Sequence, residues 1–216
     1  MWMVLGERLS EGHLLYVDVI DDTGALSAGV FTGLHLLFGR SEIAYFLLGK
    51  IFVLFQIYYW NSTLIKYRVF DENTYFPAIV MAALFHFSFD LMYLSPTLLG
   101  STFLLLAFGQ LFSHTVLQKE SSESTLLIGI YGGLATGFHW NFVFFLPFLI
   151  LTGLSISSFT VRQLFLSIMG FLLPILLILV FYFWNDGLEQ ALQVWPFVFT
   201  YPNYGYQPYL SWLAPG

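Results

Sequence analysis

The chain is 216 residues long, with 58% hydrophobic side chains, 20% aromatics, 9% charged residues and a mean hydropathy of +0.77. A water-soluble domain carries about 25% Asp, Glu, Lys and Arg to solvate its surface, so a chain with 13 acids and 7 bases must turn most of its outer surface to lipid. A net charge of −6 with scattered bases excludes a nucleic-acid interface, which needs clustered Lys and Arg, and with no Cys any chemistry falls to carboxylates, His, Lys or Tyr.

Cut into hydrophobic stretches of roughly 20 residues, this length gives about six membrane spans. The expected fold is all-α: a polytopic integral membrane helix bundle with about six transmembrane helices and an external amphipathic or surface helix. Three regions of one domain are expected: 1–40, external with the surface helix; 41–184, the transmembrane bundle; and 185–216, an external aromatic-rich tail.

The segment MWMVLGERLSEGHLLYVDVIDDTG holds Glu7, Arg8, Glu11, Asp18, Asp21 and Asp22, so it is neither a span nor a signal peptide. Ala25 to Phe38 is apolar but covers only about 21 Å of a roughly 30 Å hydrocarbon core. It is expected to lie along the surface. Spans are expected at Ile43 to Trp60, Tyr75 to Leu94, Thr97 to Thr115 and Gln163 to Trp184. The run from Thr125 to Ser155 is too long for one span and is broken by His139, Trp140 and Asn141, which predicts two short helices meeting there.

With a surface-lying first helix, Lys66, Arg68, Lys119 and Arg162 fall on one side, the cytoplasmic one, and only Arg8 and Arg40 on the other. The acidic N-terminal segment and the residues after Asn185 are then outside. Export of that segment calls for an upstream span, and the finish at LSWLAPG reads as a chain cut short, so truncation at both ends is expected. The tail's Trp195, Phe197, Tyr201 and Tyr204 suit a membrane interface.

Ionisable groups inside the spans are costly and face the bundle interior. Lys50 and Asp90 fall at roughly 11 and 6 Å below the same outer face, and His86 and Asp90, spaced i, i+4, share a helix face. They predict an intramembrane polar cluster of Lys50, His86 and Asp90, serving either as a functional site or as a structural pair that fixes helix packing. His35, His114 and His139 have no second ligand at metal spacing, so no metal site is expected. Gly129, Gly132, Gly133 and Gly137 permit close helix approach, a packing signal. Asp18, Asp21 and Asp22, before the surface helix, could serve as a general base or hold a divalent cation; the alternative is helix capping by Asp22 or Thr23. Asp71 and Glu72 are read as capping the helix that starts near Thr74.

The string EGHLLYVDVIDDTGALSAGVFTGLHLLFG resembles the first external loop of GT-C glycosyltransferases, through Gly12, Tyr16, Asp18, Gly24 and Leu37, Phe38, Gly39. From Phe76 onwards, clearest in LSPTLLGSTFLLLAFGQLF, the chain is similar to an uncharacterised bacterial family of multispanning membrane proteins, of bacteroidete type, itself distantly similar to GT-C. The resemblance implies a bacterial inner-membrane enzyme taking a sugar from a polyprenyl-phosphate carrier. The family's acidic motif after its first span has no counterpart here, which leaves Asp18, Asp21 and Asp22 as the catalytic candidates.

In that reading Asp18 is the first choice of base, Asp21 or Asp22 holds a divalent cation, and Tyr16 and Arg40 contact the substrate. The alternative is a non-catalytic membrane subunit or scaffold that binds a membrane protein partner. A transporter ranks last, because no inverted repeat of hydrophobic segments is visible.

Overall fold

The computed structural model describes residues 2–87, 91, 93–117, 122–155 and 160–194. The helices are α1 (Trp2–Ser10), α2 (Ala25–Phe38), α3 (Glu42–Lys66), α4 (Phe76–His86), α5 (Pro96–Leu117), α6 (Ser122–Phe138), α7 (Phe145–Ser155), α8 (Val161–Trp184) and α9 (Leu188–Val194), with a 3-10 turn at Trp140–Phe144 between α6 and α7. Among the described residues there is no strand, only an isolated bridge between Leu15 and Val19.

Among the described residues three helices, α3, α5 and α8, are long and apolar enough to cross a membrane. This is fewer than the six spans expected. The largest difference is at Tyr75 to Leu94: α4 stops at His86, where the Phe87 N–H closes back on the Leu84 carbonyl. Its 11 residues reach only about 17 Å. Residues 88–90 and 92 lie outside the described residues.

The helix ends have local causes. Ser41 caps α3 by accepting from the Ala44 N–H, and Thr160 and Gln163 form a reciprocal capping box on α8. Helix α2 differs from the capping expectation, because its N-cap is Gly24 with no side-chain hydrogen bond. At α4 the amide of Phe76 donates to Thr74 Oγ1, while Asp71 and Glu72 sit exposed in the preceding turn.

The outer faces of the long helices are apolar. On α3, Ile43, Leu47, Ile51 and Leu54 are exposed at helical spacing, and on α8 Leu173, Leu176, Leu177 and Val180. Apolar faces of this extent are compatible with a lipid surround.

Inside, α6 and α8 run parallel and nearly touch backbone to backbone. A Cβ on Gly129 would fall far inside contact with the Ser167 carbonyl oxygen and 2.8 Å from Phe171 N. One on Gly133 would meet the Phe171 carbonyl and Pro174, and one on Gly137 would meet Ile178. The glycine run is a small-residue packing seam.

The two ends of the bundle differ. Tyr45 near the start of α3, Leu99 of α5, Phe138 at the end of α6 and Tyr182 near the end of α8 share one hydrophobic cluster with Leu5, Tyr16, Phe31 and Ala191. Helices α1, α2 and α9 thus cap that end. Lys66 and Arg162 sit at the far ends of α3 and α8, with Arg68 just beyond α3; Lys119 lies outside the described residues.

Candidate functional site at the acidic loop

The loop from Glu11 to Gly24 is held by its own side chains. Asp18 Oδ2 accepts the Leu14 N–H at 2.8 Å, and the Tyr16 N–H donates to the Val19 carbonyl at 2.7 Å. Tyr16 sits at φ 68°, a left-handed value that a bulky residue adopts only when its surroundings impose it. They do so here: its hydroxyl donates to the Thr23 carbonyl at 2.6 Å and its ring packs 5.9 Å from that of Tyr182. Burial, with Tyr182, Asp21 and Asp22 beside it, holds the Tyr16 phenol far above its ordinary range. Tyr16 is therefore the wedge that anchors the loop. Asp21 Oδ1 accepts both the amide of Thr23, at 2.8 Å, and its hydroxyl.

This loop docks on the end of α6. Gly24 lies against the carbonyls of Gly137 and Phe138, where a Cβ has no room, and Ser27 Oγ donates to the Phe138 carbonyl at 2.8 Å. Ser27 thereby satisfies a carbonyl that the helix end leaves without an intrahelical partner. The chain then breaks at His139, in extended geometry, before the 3-10 turn.

Asp22 and His139 lie within electrostatic range of each other at this junction. Desolvation, then the charge of Asp21 and a hydrogen bond with it, push the Asp22 carboxyl above the usual range, while His139 pulls it back. Burial lowers His139, and the Asp22 charge works against that. His139 Nε2 lies 3.1 Å from the Asn141 side-chain nitrogen, and its Nδ1 is buried without a hydrogen-bond partner among the described residues. The arrangement is an exposed carboxylate of raised basicity within electrostatic range of a half-buried imidazole, with no hydrogen bond or ion pair between them among the described residues; such a carboxylate is a candidate general base. Sequence reading found both halves and did not join them; the only signal was the polar break in an apolar run.

Other expected site residues are placed as follows. Asp18 is exposed at the loop's outer edge. Arg40 is ion-paired with Glu7 through Nε at 2.7 Å and through Nη2, tying the α2–α3 corner to α1. Lys50 Nζ lies over the Phe46 ring at 5.2 Å, and exposed His86 Nδ1 faces the Ala82 carbonyl of its own helix at 2.7 Å. Asp90 lies outside the described residues, so the polar cluster is represented by two members, each engaged on its own helix. Among the described residues, no group of three His, Asp or Glu could hold a metal ion.

A polar node that the sequence reading passed over lies between α3 and α5. Buried Gln56 donates to the Leu98 carbonyl at 2.9 Å and faces Ser101 Oγ at 3.1 Å and Thr102 Oγ1 at 2.7 Å. Gln56→Leu is expected to cost about 1 kcal/mol, since an interhelical hydrogen bond is lost while the two hydroxyls keep the Leu98 carbonyl. Thermal melting in detergent checks this, against Gln56→Glu at low pH as a partial rescue.

In comparison with known proteins, no family model, no curated protein and no solved structure matches this chain. The likeness to GT-C enzymes rests on the residues quoted above. The class that the fold itself defines, among the described residues, is an all-α protein with three helices able to span a membrane.

Proposed function

We propose that this chain is a multi-pass protein of a bacterial inner membrane that transfers a sugar from a polyprenyl-phosphate carrier at the external, capped end of its bundle, with Asp22 as the base. The observation that carries this reading is Asp22, exposed at the capped end and within electrostatic range of His139. Of the three candidate carboxylates, Asp18 holds the loop at Leu14 and Asp21 holds it at Thr23, whereas Asp22 is pushed toward greater basicity by desolvation and by Asp21, with His139 opposing. Asp22 takes the proton of the acceptor hydroxyl as its oxygen bonds to the anomeric carbon, and the polyprenyl phosphate departs with the electrons of the broken bond.

The arrangement of helix ends supports six crossings, although among the described residues three helices are long enough to cross alone. The starts of α3 and α5 share the capped cluster, so the chain between them must return. Between α5, which runs away from the cap, and α8, which runs toward it, the net displacement is zero, as it is if α6 goes up and α7 comes down. An even number of crossings also keeps α1, α2 and α9 on one side. Reporter fusions at Asp18 and Asn185 should share a compartment opposite to that of Lys66.

A second reading, the non-catalytic subunit, is favoured by the pairing of Arg40, a candidate substrate contact, with Glu7. Turnover separates the two. Purified full-length protein should act on a polyprenyl-phosphate sugar, lose at least about a hundredfold in rate as Asp22→Asn, and keep most of it as Asp18→Asn. Because the Asp22 carboxyl is raised, the active deprotonated form should disappear on acidification at a higher pH than for an ordinary carboxylate. No turnover with any donor, together with stable co-purification of one partner protein, would establish the subunit instead.

A further inference from the structure

At the end away from the acidic loop, α3 and α5 part to leave a half-open cavity of about 310 Å³. Its walls carry hydroxyl and amide donors from Tyr59, Ser62, Gln110 and Ser113, and its single charged lining residue is Lys66. The Lys66 ammonium lies 5.3 Å from the centre of the Tyr67 ring and is in neither of the ion pairs found among the described residues. Gly109 gives the Tyr59 hydroxyl its place in the wall, because a Cβ there would overlap it.

The negative end of α3, which would repel an anion, is muted. Its last carbonyls are taken by the amides of Tyr67, Arg68 and Val69, at 3.1, 3.0 and 3.1 Å. Leading to the mouth is an exposed apolar strip, Ile51, Leu54 and Phe55, one and two turns before Tyr58 and Tyr59. A polar, cationic pocket at the end of an apolar track matches an amphiphile whose head is an anion and whose tail lies along the helix.

We propose that this cleft binds the phosphate headgroup of an anionic phospholipid, with the phosphate on Lys66 and the acyl chain along Ile51 and Leu54. The site rests on α3 and α5 crossing the membrane and is independent of the transferase reading, so its test uses binding and no turnover.

Full-length protein in detergent is titrated with short-chain phosphatidylglycerol, short-chain phosphatidylcholine and inorganic phosphate, with bound lipid counted by native mass spectrometry. Phosphatidylglycerol should bind at least about fivefold more tightly than phosphatidylcholine, and Lys66→Gln should abolish that preference while Lys66→Arg keeps it. Ser113→Leu, which narrows the cavity without altering charge, should weaken phosphatidylglycerol alone, and it decides the matter if Lys66→Gln fails to fold. Inorganic phosphate bound as tightly as phosphatidylglycerol would overturn the lipid as occupant. Equal binding of the two lipids, or a preference unchanged in Lys66→Gln, would overturn the site.

Discussion

Gly129→Leu is expected to leave little or no folded protein, with a loss of about 3 kcal/mol or more. At this position α6 lies so close to α8 that even a Cβ would overlap the Ser167 carbonyl oxygen, and the neighbouring atoms are backbone, which cannot swing aside. The helices must separate, and Gly133 and Gly137, on the same seam one and two turns further, would lose their contacts with Phe171, Pro174 and Ile178. Helices in lipid associate through close packing more than through the hydrophobic effect, so opening the seam removes most of what holds α6 to α8. The check is a melting curve and size-exclusion profile in detergent beside Gly29→Ala on α2. There a Cβ meets nothing within 4 Å, and the exchange should raise stability by up to about 1 kcal/mol through helix propensity. A Gly129→Leu protein that melts with the wild type would refute the close α6–α8 seam.

Gly24→Val is expected to lift the acidic loop from the end of α6 and to separate Asp22 from His139. The carbonyls of Gly137 and Phe138 both occupy the space of the new side chain, and retreat of the loop would break the Ser27 hydrogen bond to Phe138. A buried carbonyl left without its donor costs about 1 to 3 kcal/mol, to which the lost packing of Phe31 and Tyr16 in the capped cluster adds. The bundle should still fold, since the Gln56 node and the contacts of Gly129 and Gly133 with α8 do not involve the loop. The expected result is a detergent-soluble bundle whose loop is cleaved by protease well before the wild type. Equal protease resistance would show that the loop does not dock on α6.

Much of the helical layout was legible in the chain. Helix α2 has the limits read for it, Ala25 to Phe38, because Gly24 and Gly39 interrupt an apolar run on both sides. The break at His139 was legible for the same reason: three polar residues interrupt a run otherwise fit for lipid. Helix α1 was not, since Glu7, Arg8 and Glu11 mask an apolar face that exists only against α2. Nor was the early stop of α4, because Phe87 is as apolar as the residues before it.

The site divides in the same way. Acids near the start of the surface helix stood out by composition, but their roles did not. Asp18 and Asp21 are turn formers by virtue of the Leu14 and Thr23 amides, Tyr16 is a buried wedge, and Arg40 belongs to Glu7. The sequence alone determined the helical class and which stretches are apolar, because those follow from side-chain hydrophobicity and local turn chemistry. Which carboxylate keeps a raised basicity, and which histidine stands beside it, was decided only when Ser27 met Phe138 across 111 residues of chain. Burial and pairing are properties of segments brought together, and no local pattern carries them.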